Sequence, residues 1–274
     1  MFFEPNRTPY DLNFSMFGVP VRVHPLFWLI SAVLGWNAIH YGFSYVLVWI
    51  ACVFVSILVH EMGHVSMGRI FGAEGHIILY GFGGLAIGSN YLSNRWQRIA
   101  VAFAGPLAGF IFLALILGAL QVLAPDRLLR LTAQIQALLD LPFDRSVFLL
   151  PPSWAEAALW NLFLINLFWG LMNLLPIWPL DGGQICKDFL MGWWPRDGLR
   201  YSLIISCVLA SLLAVNALLD AYGRPLIPFM PFGGFYIAIL FALLAVNNYQ
   251  AYQQIASYQR FDAGEREPWE RWDK

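Results

Sequence analysis

The 274-residue chain is 59% hydrophobic and 12% charged, with a formal net charge of -1. A soluble domain carries about 25% charged residues, so this chain cannot clothe itself in charge, and lipid must be the solvent for most of its surface. The near-zero balance excludes a nucleic-acid partner, which asks for a basic patch, and three widely spaced cysteines, Cys52, Cys186 and Cys207, exclude a disulfide framework.

Residues 1–24 carry Glu4, Pro5 and Asp11 where a cleavable leader would carry an apolar run, so they are expected to form a cytosolic N-terminal segment. A spanning helix takes about 20 apolar residues. Stretches near 25–42, 44–70, 98–123, 154–175, 199–219 and 232–257 meet that requirement. The fold class expected is therefore all-α integral membrane, with about six transmembrane helices forming one domain over 25–257, and a polar tail over 258–274. The stretch 124–153, with scattered charge and the Pro151-Pro152 pair, reads as a connector with one short amphipathic helix. No stretch has room for an appended soluble domain.

Between the second and third spans, Ile77–Tyr80 and Leu85–Ile87 flank Gly81-Phe82-Gly83-Gly84. Two β-like runs around glycines that tolerate positive φ predict a β-hairpin. Non-helical backbone at membrane depth survives only where protein or water satisfies it, so a re-entrant hairpin against the helices is expected; an interfacial turn is the alternative. Lys and Arg placement sets orientation. With a cytosolic N-terminus, twelve basic residues fall inside and four (Arg127, Arg130, Arg145 and Arg224) outside. Both termini are therefore expected in the cytosol.

The second span contains His60-Glu61-Met62-Gly63-His64. Residues four apart share a helix face, so both imidazoles can reach one Zn²⁺ at about 2.0–2.1 Å. Glu61 stands beside them, placed to take a proton from a water activated there. Two imidazoles and a carboxylate are costly inside a membrane unless paired or functional; the competing reading is that they hydrogen-bond one another and fix packing. A catalytic zinc uses three protein ligands and keeps one position open. Asp181 is the candidate for the third, on the irregular segment Pro176-Ile-Trp-Pro179-Leu-Asp181-Gly182-Gly183, although Asp-Gly is also an ordinary turn pair. Counting spans places both halves of this site toward the cytosolic face. His76 and Cys186 fall close enough in sequence to be considered as further ligands or lining groups. Gly105 and Gly109 read as a close-packing pair, and Asn166 as a residue sharing the face of Asn173. A transporter with broken helices is the rival function, but two related halves are not visible; an inert membrane scaffold is the other.

At these residues the chain resembles the site-2 protease family of intramembrane metalloproteases. The resemblance rests on HEMGH in a span, the hairpin after it, Phe103-Ala104-Gly105-Pro106, and the Asn173–Gly183 stretch NLLPIWPLDGG. It implies a six-helix core holding one Zn²⁺ per chain through His60, His64 and Asp181, with Glu61 as general base. It also implies cleavage of a single-pass transmembrane protein substrate within its membrane segment, with lipid around the enzyme. Asn173 matches a family asparagine near the active site, with a role toward substrate or the oxyanion. Gly109 stands where many members carry asparagine. A helical substrate must unwind to expose a carbonyl, and pairing with a strand of the hairpin would offset the lost hydrogen bonds.

Overall fold

The computed structural model describes residues 5–81, 83–139, 141–142, 151–224, 226–227 and 234–265, with side chains as far as residue 257. It divides into two compact units, Met1–Leu174 and Leu175–Lys274.

The first unit opens with two strands, β1 (Leu12–Met16) and β2 (Val19–Val23), joined through Phe17 and Gly18, both at positive φ. Positive φ at both turn residues matches the right-handed twist of the flanking strands. Residues 12–16 and 19–23 of the expected N-terminal segment thus belong to the sheet. The signal was present in the alternation Val19, Val21, Val23, all buried. Pro20 within that run argues against a central strand. Asp11 accepts from the Thr8 hydroxyl (2.6 Å), the Thr8 backbone N–H (3.2 Å) and Arg22 Nη1 (3.1 Å), which ties down the approach to the sheet.

The stretch expected as the first span is not one helix. α1 (Pro25–Leu34) is followed at Gly35 by a 3₁₀ turn, Trp36–Tyr41. A Cβ at Gly35 would collide with the Trp49 indole, whose Nε1 donates to the Ser31 carbonyl at 3.0 Å. At about 1.5 and 2.0 Å rise per residue the two pieces sum to about 27 Å, close to the hydrocarbon thickness of about 30 Å. Among the described residues, five other helices are each long and apolar enough to cross a membrane: Phe43–Ile70, Arg95–Leu123, Trp154–Asn173, Gly198–Ala221 and Phe235–Ser257.

α2 (Phe43–Ile70) ends in a Schellman arrangement: Gly72 takes φ +84 and Ala73 N–H donates to the Gly68 carbonyl at 2.9 Å. The hairpin follows as β3 (His76–Tyr80) and β4 (Gly83–Ile87), antiparallel from His76↔Ile87 to Tyr80↔Gly83; Phe82 in its turn lies outside the described residues. β2 pairs with β3 in parallel, Val21↔Ile77 and Val23↔Leu79, giving a four-stranded sheet of order β1-β2-β3-β4. One face of this sheet (Val19, Val21, Val23, Ile77, Leu79) packs on Val53, Ile57, Leu58 and Val65 of α2. α3 (Arg95–Leu123) and the amphipathic α4 (Pro125–Leu138) follow. α5 (Trp154–Leu164) starts on a Ser153/Glu156 capping box and passes through a π-turn, Ile165–Trp169, into α6 (Gly170–Asn173).

The second unit consists of the segment 175–180, α7 (Asp181–Trp193), α8 (Gly198–Ala221) and α9 (Phe235–Glu265), which packs on α8. α9 continues past the expected boundary at 257; residues 266–274 lie outside the described residues.

Candidate metal centre

α2 carries His60 and His64 one turn apart. Their Nε2 atoms are 3.2 Å from each other and their rings meet edge to face. Glu61 completes a buried group whose ligand atoms all lie within 4.8 Å of one another. Among the described residues of the first unit, His76 does not join this group; it opens β3.

The His64 tautomer is set from outside the motif. Its Nδ1 lies 2.7 Å from the carbonyl oxygen of Val101 on α3. A carbonyl only accepts, so Nδ1 bears the proton and Nε2 presents its lone pair toward His60. Histidines that bind metals are oriented in this way, by a donor bond from the other ring nitrogen.

Two glycines then let neighbouring backbone close on the site. On α3, a Cβ at Gly105 would strike the His64 ring, with Cδ2 at 2.8 Å and Nε2 nearer still. On β4, a Cβ at Gly84 would strike the Glu61 carboxyl, with Cδ at 2.5 Å. The sequence showed Gly105 only as a helix-packing residue; its contact is with the His64 side chain. At Gly109 a Cβ would sit 3.5 Å from Asn166 Oδ1, an ordinary contact. Asn166, buried in the π-turn, donates to Ser56 Oγ of α2 at 2.9 Å and to the Leu162 carbonyl at 2.8 Å. Asn166 therefore serves as a bridge between helices. Asn173 ends α6, buried, its Nδ2 donating to the Trp169 carbonyl at 3.0 Å. Asp181 belongs to the second unit, buried as the first residue of α7.

These residues fit a metal. Two nitrogen ligands at about 2.0–2.1 Å on a tetrahedral ion stand about 3.3 Å apart, and the imidazole nitrogens are separated by 3.2 Å. The fixed His64 tautomer offers the required lone pair, and the neighbouring Glu61 carboxyl adds an oxygen donor within reach.

Five apolar helices and a buried His-Glu-His group that could hold a metal ion define an integral multi-pass membrane protein with a candidate metal centre. Residues 48–214 match the sequence profile of peptidase family M50, and the chain belongs to that family. A candidate zinc metalloprotease of Synechocystis sp. is 28% identical over 273 residues, covering 91% of this chain and 63% of the relative. A zinc metalloprotease of Methanocaldococcus jannaschii is 26% identical, covering 75% of this chain and 55% of the relative. The chain therefore spans a little over half the length of these relatives. The solved site-2 protease from Methanocaldococcus jannaschii shares the fold, with a TM-score of 0.51 at 24% identity over 89% of this chain and 95% of that one.

Proposed function

We propose that this chain is an intramembrane zinc metalloprotease that hydrolyses peptide bonds within or near transmembrane segments of membrane-protein substrates. The observation that carries the reading is the buried pair of Nε2 atoms 3.2 Å apart, one held with its lone pair free of its own proton by Val101, beside a buried carboxylate. His60, His64 and Asp181 would hold one zinc ion per chain. Bound there, zinc would polarise the scissile carbonyl and lower the pKa of water toward about 7.

The chain's own residues supply the rest. Glu61 accepts the proton of the attacking water and returns it to the leaving amine. Asn173 offers its second amide proton, the one not given to the Trp169 carbonyl, to the developing oxyanion, a preorganised electrostatic contribution. β4 is an edge strand in the sheet order and its Gly84 lies against Glu61. An unwound segment of a single-pass substrate pairing with that edge would present its carbonyls beside the general base. The balance of basic residues favours cytosolic termini and a site opening toward the cytosol.

The test compares purified wild type with Glu61→Gln in lipid nanodiscs containing a single-pass substrate. The expected result is one zinc per chain in both and cleavage only by wild type. Equal cleavage by the two would remove Glu61 from the mechanism and sink the reading.

A further inference from the structure

The segment that leads into Asp181 has no regular hydrogen bonding of its own, yet it lies among apolar helices. Unsatisfied backbone there costs several kcal/mol per group. At Trp178 both groups are satisfied by side chains from two different helices. Its N–H donates to Ser206 Oγ of α8 at 2.9 Å, and its carbonyl accepts from Asn248 Nδ2 of α9 at 2.6 Å. Ser206 passes its own proton to the Ser202 carbonyl at 2.7 Å, with the Pro176 carbonyl at 3.3 Å as the longer alternative. Asn248 donates its second amide proton to the Leu244 carbonyl at 2.8 Å. With two carbonyls in reach, the donor end of the amide must face them.

Asn248 is 0% exposed, and its Oδ1 finds no hydrogen-bond partner among the described residues. A leucine would fill the same space without burying an unpaired acceptor, so packing does not account for an asparagine; delivery of its N–H to Trp178 does. From Trp178 to Asp181 the chain has little freedom. Leu180 N–H bonds the Ile177 carbonyl at 2.8 Å, Gln184 N–H bonds the Leu180 carbonyl at 3.0 Å, and Ile177 is fully buried. A Cβ at Gly183 would collide with the Ile177–Trp178 peptide, which locks the segment onto the first turn of α7.

We infer that Asn248 and Ser206 are positioning residues that set the Asp181 carboxylate by clamping the two polar groups of Trp178. This rests on the reading of Asp181 as a metal ligand. The test titrates Co²⁺ into metal-free protein and follows its visible absorption, for wild type, Asp181→Ala, Asn248→Leu and the double variant, with the exposed neighbour Asn247→Leu as control. Residues that orient a ligand typically change metal affinity about 10- to 100-fold. Asn248→Leu is expected to weaken Co²⁺ binding by that much and to move the spectrum toward that of Asp181→Ala. In the Asp181→Ala background it should cost about twofold or less, because the two act as one unit. Should Asn248→Leu fail to fold, Ser206→Ala enters the same cycle through the other bond. Wild-type affinity in Asn248→Leu, or an undiminished loss in the Asp181→Ala background, overturns the clamp while leaving the ligand standing. Wild-type Co²⁺ affinity in Asp181→Ala overturns both.

Discussion

Gly105→Ala offers a sharp test of the metal centre, because the substitution adds one methyl group and no charge. That methyl would lie 2.8 Å from His64 Cδ2, where ordinary contact begins at 3.4 Å. The ring must retreat by 0.6 Å at Cδ2, and by more at the nearer Nε2. It has nowhere easy to go, because its other nitrogen is bonded to Val101 of the same helix at 2.7 Å. Forced overpacking costs about 1–3 kcal/mol, and metal–ligand distances tolerate only about 0.2 Å. A displacement three times that tolerance should raise the zinc dissociation constant about 10- to 100-fold. Chelator competition on protein in detergent measures this directly. Gly118→Ala, in the same helix with nothing within 4 Å of the added carbon, is the matched control. It should bind zinc like wild type and gain up to about 1 kcal/mol of helix stability. Wild-type zinc affinity in Gly105→Ala would show that His64 is not held between α3 and the metal.

Three further outcomes are expected. Gly84→Ala should push the Glu61 carboxyl away from the edge strand and lower kcat with zinc content intact, as read by turnover and metal analysis in parallel. Leu85→Asp, a charge on the same edge strand, should raise KM or abolish cleavage while leaving zinc bound; unchanged kinetics would remove β4 from substrate binding. For pH, burial raises the Asp11 carboxyl, but the Thr8 hydroxyl and N–H and the Arg22 guanidinium outweigh it and hold the group below its usual 3.8. A lowered folded value means that the stabilisation is complete above about pH 3.8 and is lost as pH falls through the folded pKa. Thermal melts of wild type and Asp11→Asn should differ near neutrality and converge in acid; a constant difference would disprove the linkage.

The motif was legible because helical spacing alone puts His60 and His64 on one face, and because charge is conspicuous inside an apolar run. The hairpin was legible from glycines between two β-like runs. The group that orients His64 was not, because it is a backbone carbonyl, and any residue at position 101 presents one. Gly105 was visible as a small residue but not as a neighbour of His64, since that contact depends on the rotation of α3 against α2. β1 and β2 were missed because Pro20 within the Val19–Val23 alternation argues against a central strand, and because the strand that β2 pairs with in parallel, β3, lies more than 50 residues away. The first span was expected as one helix because 25–42 is apolar apart from Ser31, Asn37 and His40, but Trp49 claims the space at Gly35 and the helix breaks there.

The sheet and the helix that carries His60, Glu61 and His64 fix one another at two points. Near its middle, α2 meets β4 where Glu61 lies against Gly84. At its end, Arg69 donates to the carbonyls of Phe17 (3.1 Å) and Gly18 (2.5 Å) in the β1–β2 turn. Between those points the pairings run β1 to β2, β2 to β3 in parallel, and β3 to β4. Slipping β2 against β3 by one residue would turn every side chain of the displaced strand to the opposite face, and would lift either Val21 and Val23 or Ile77 and Leu79 out of a core in which all four are buried. The outer edge of β4 is therefore held in register with the carboxylate by the same helix that carries it. A peptide pairing with that edge would meet Glu61 at a depth set by the apolar packing of the sheet, with no contribution needed from the metal.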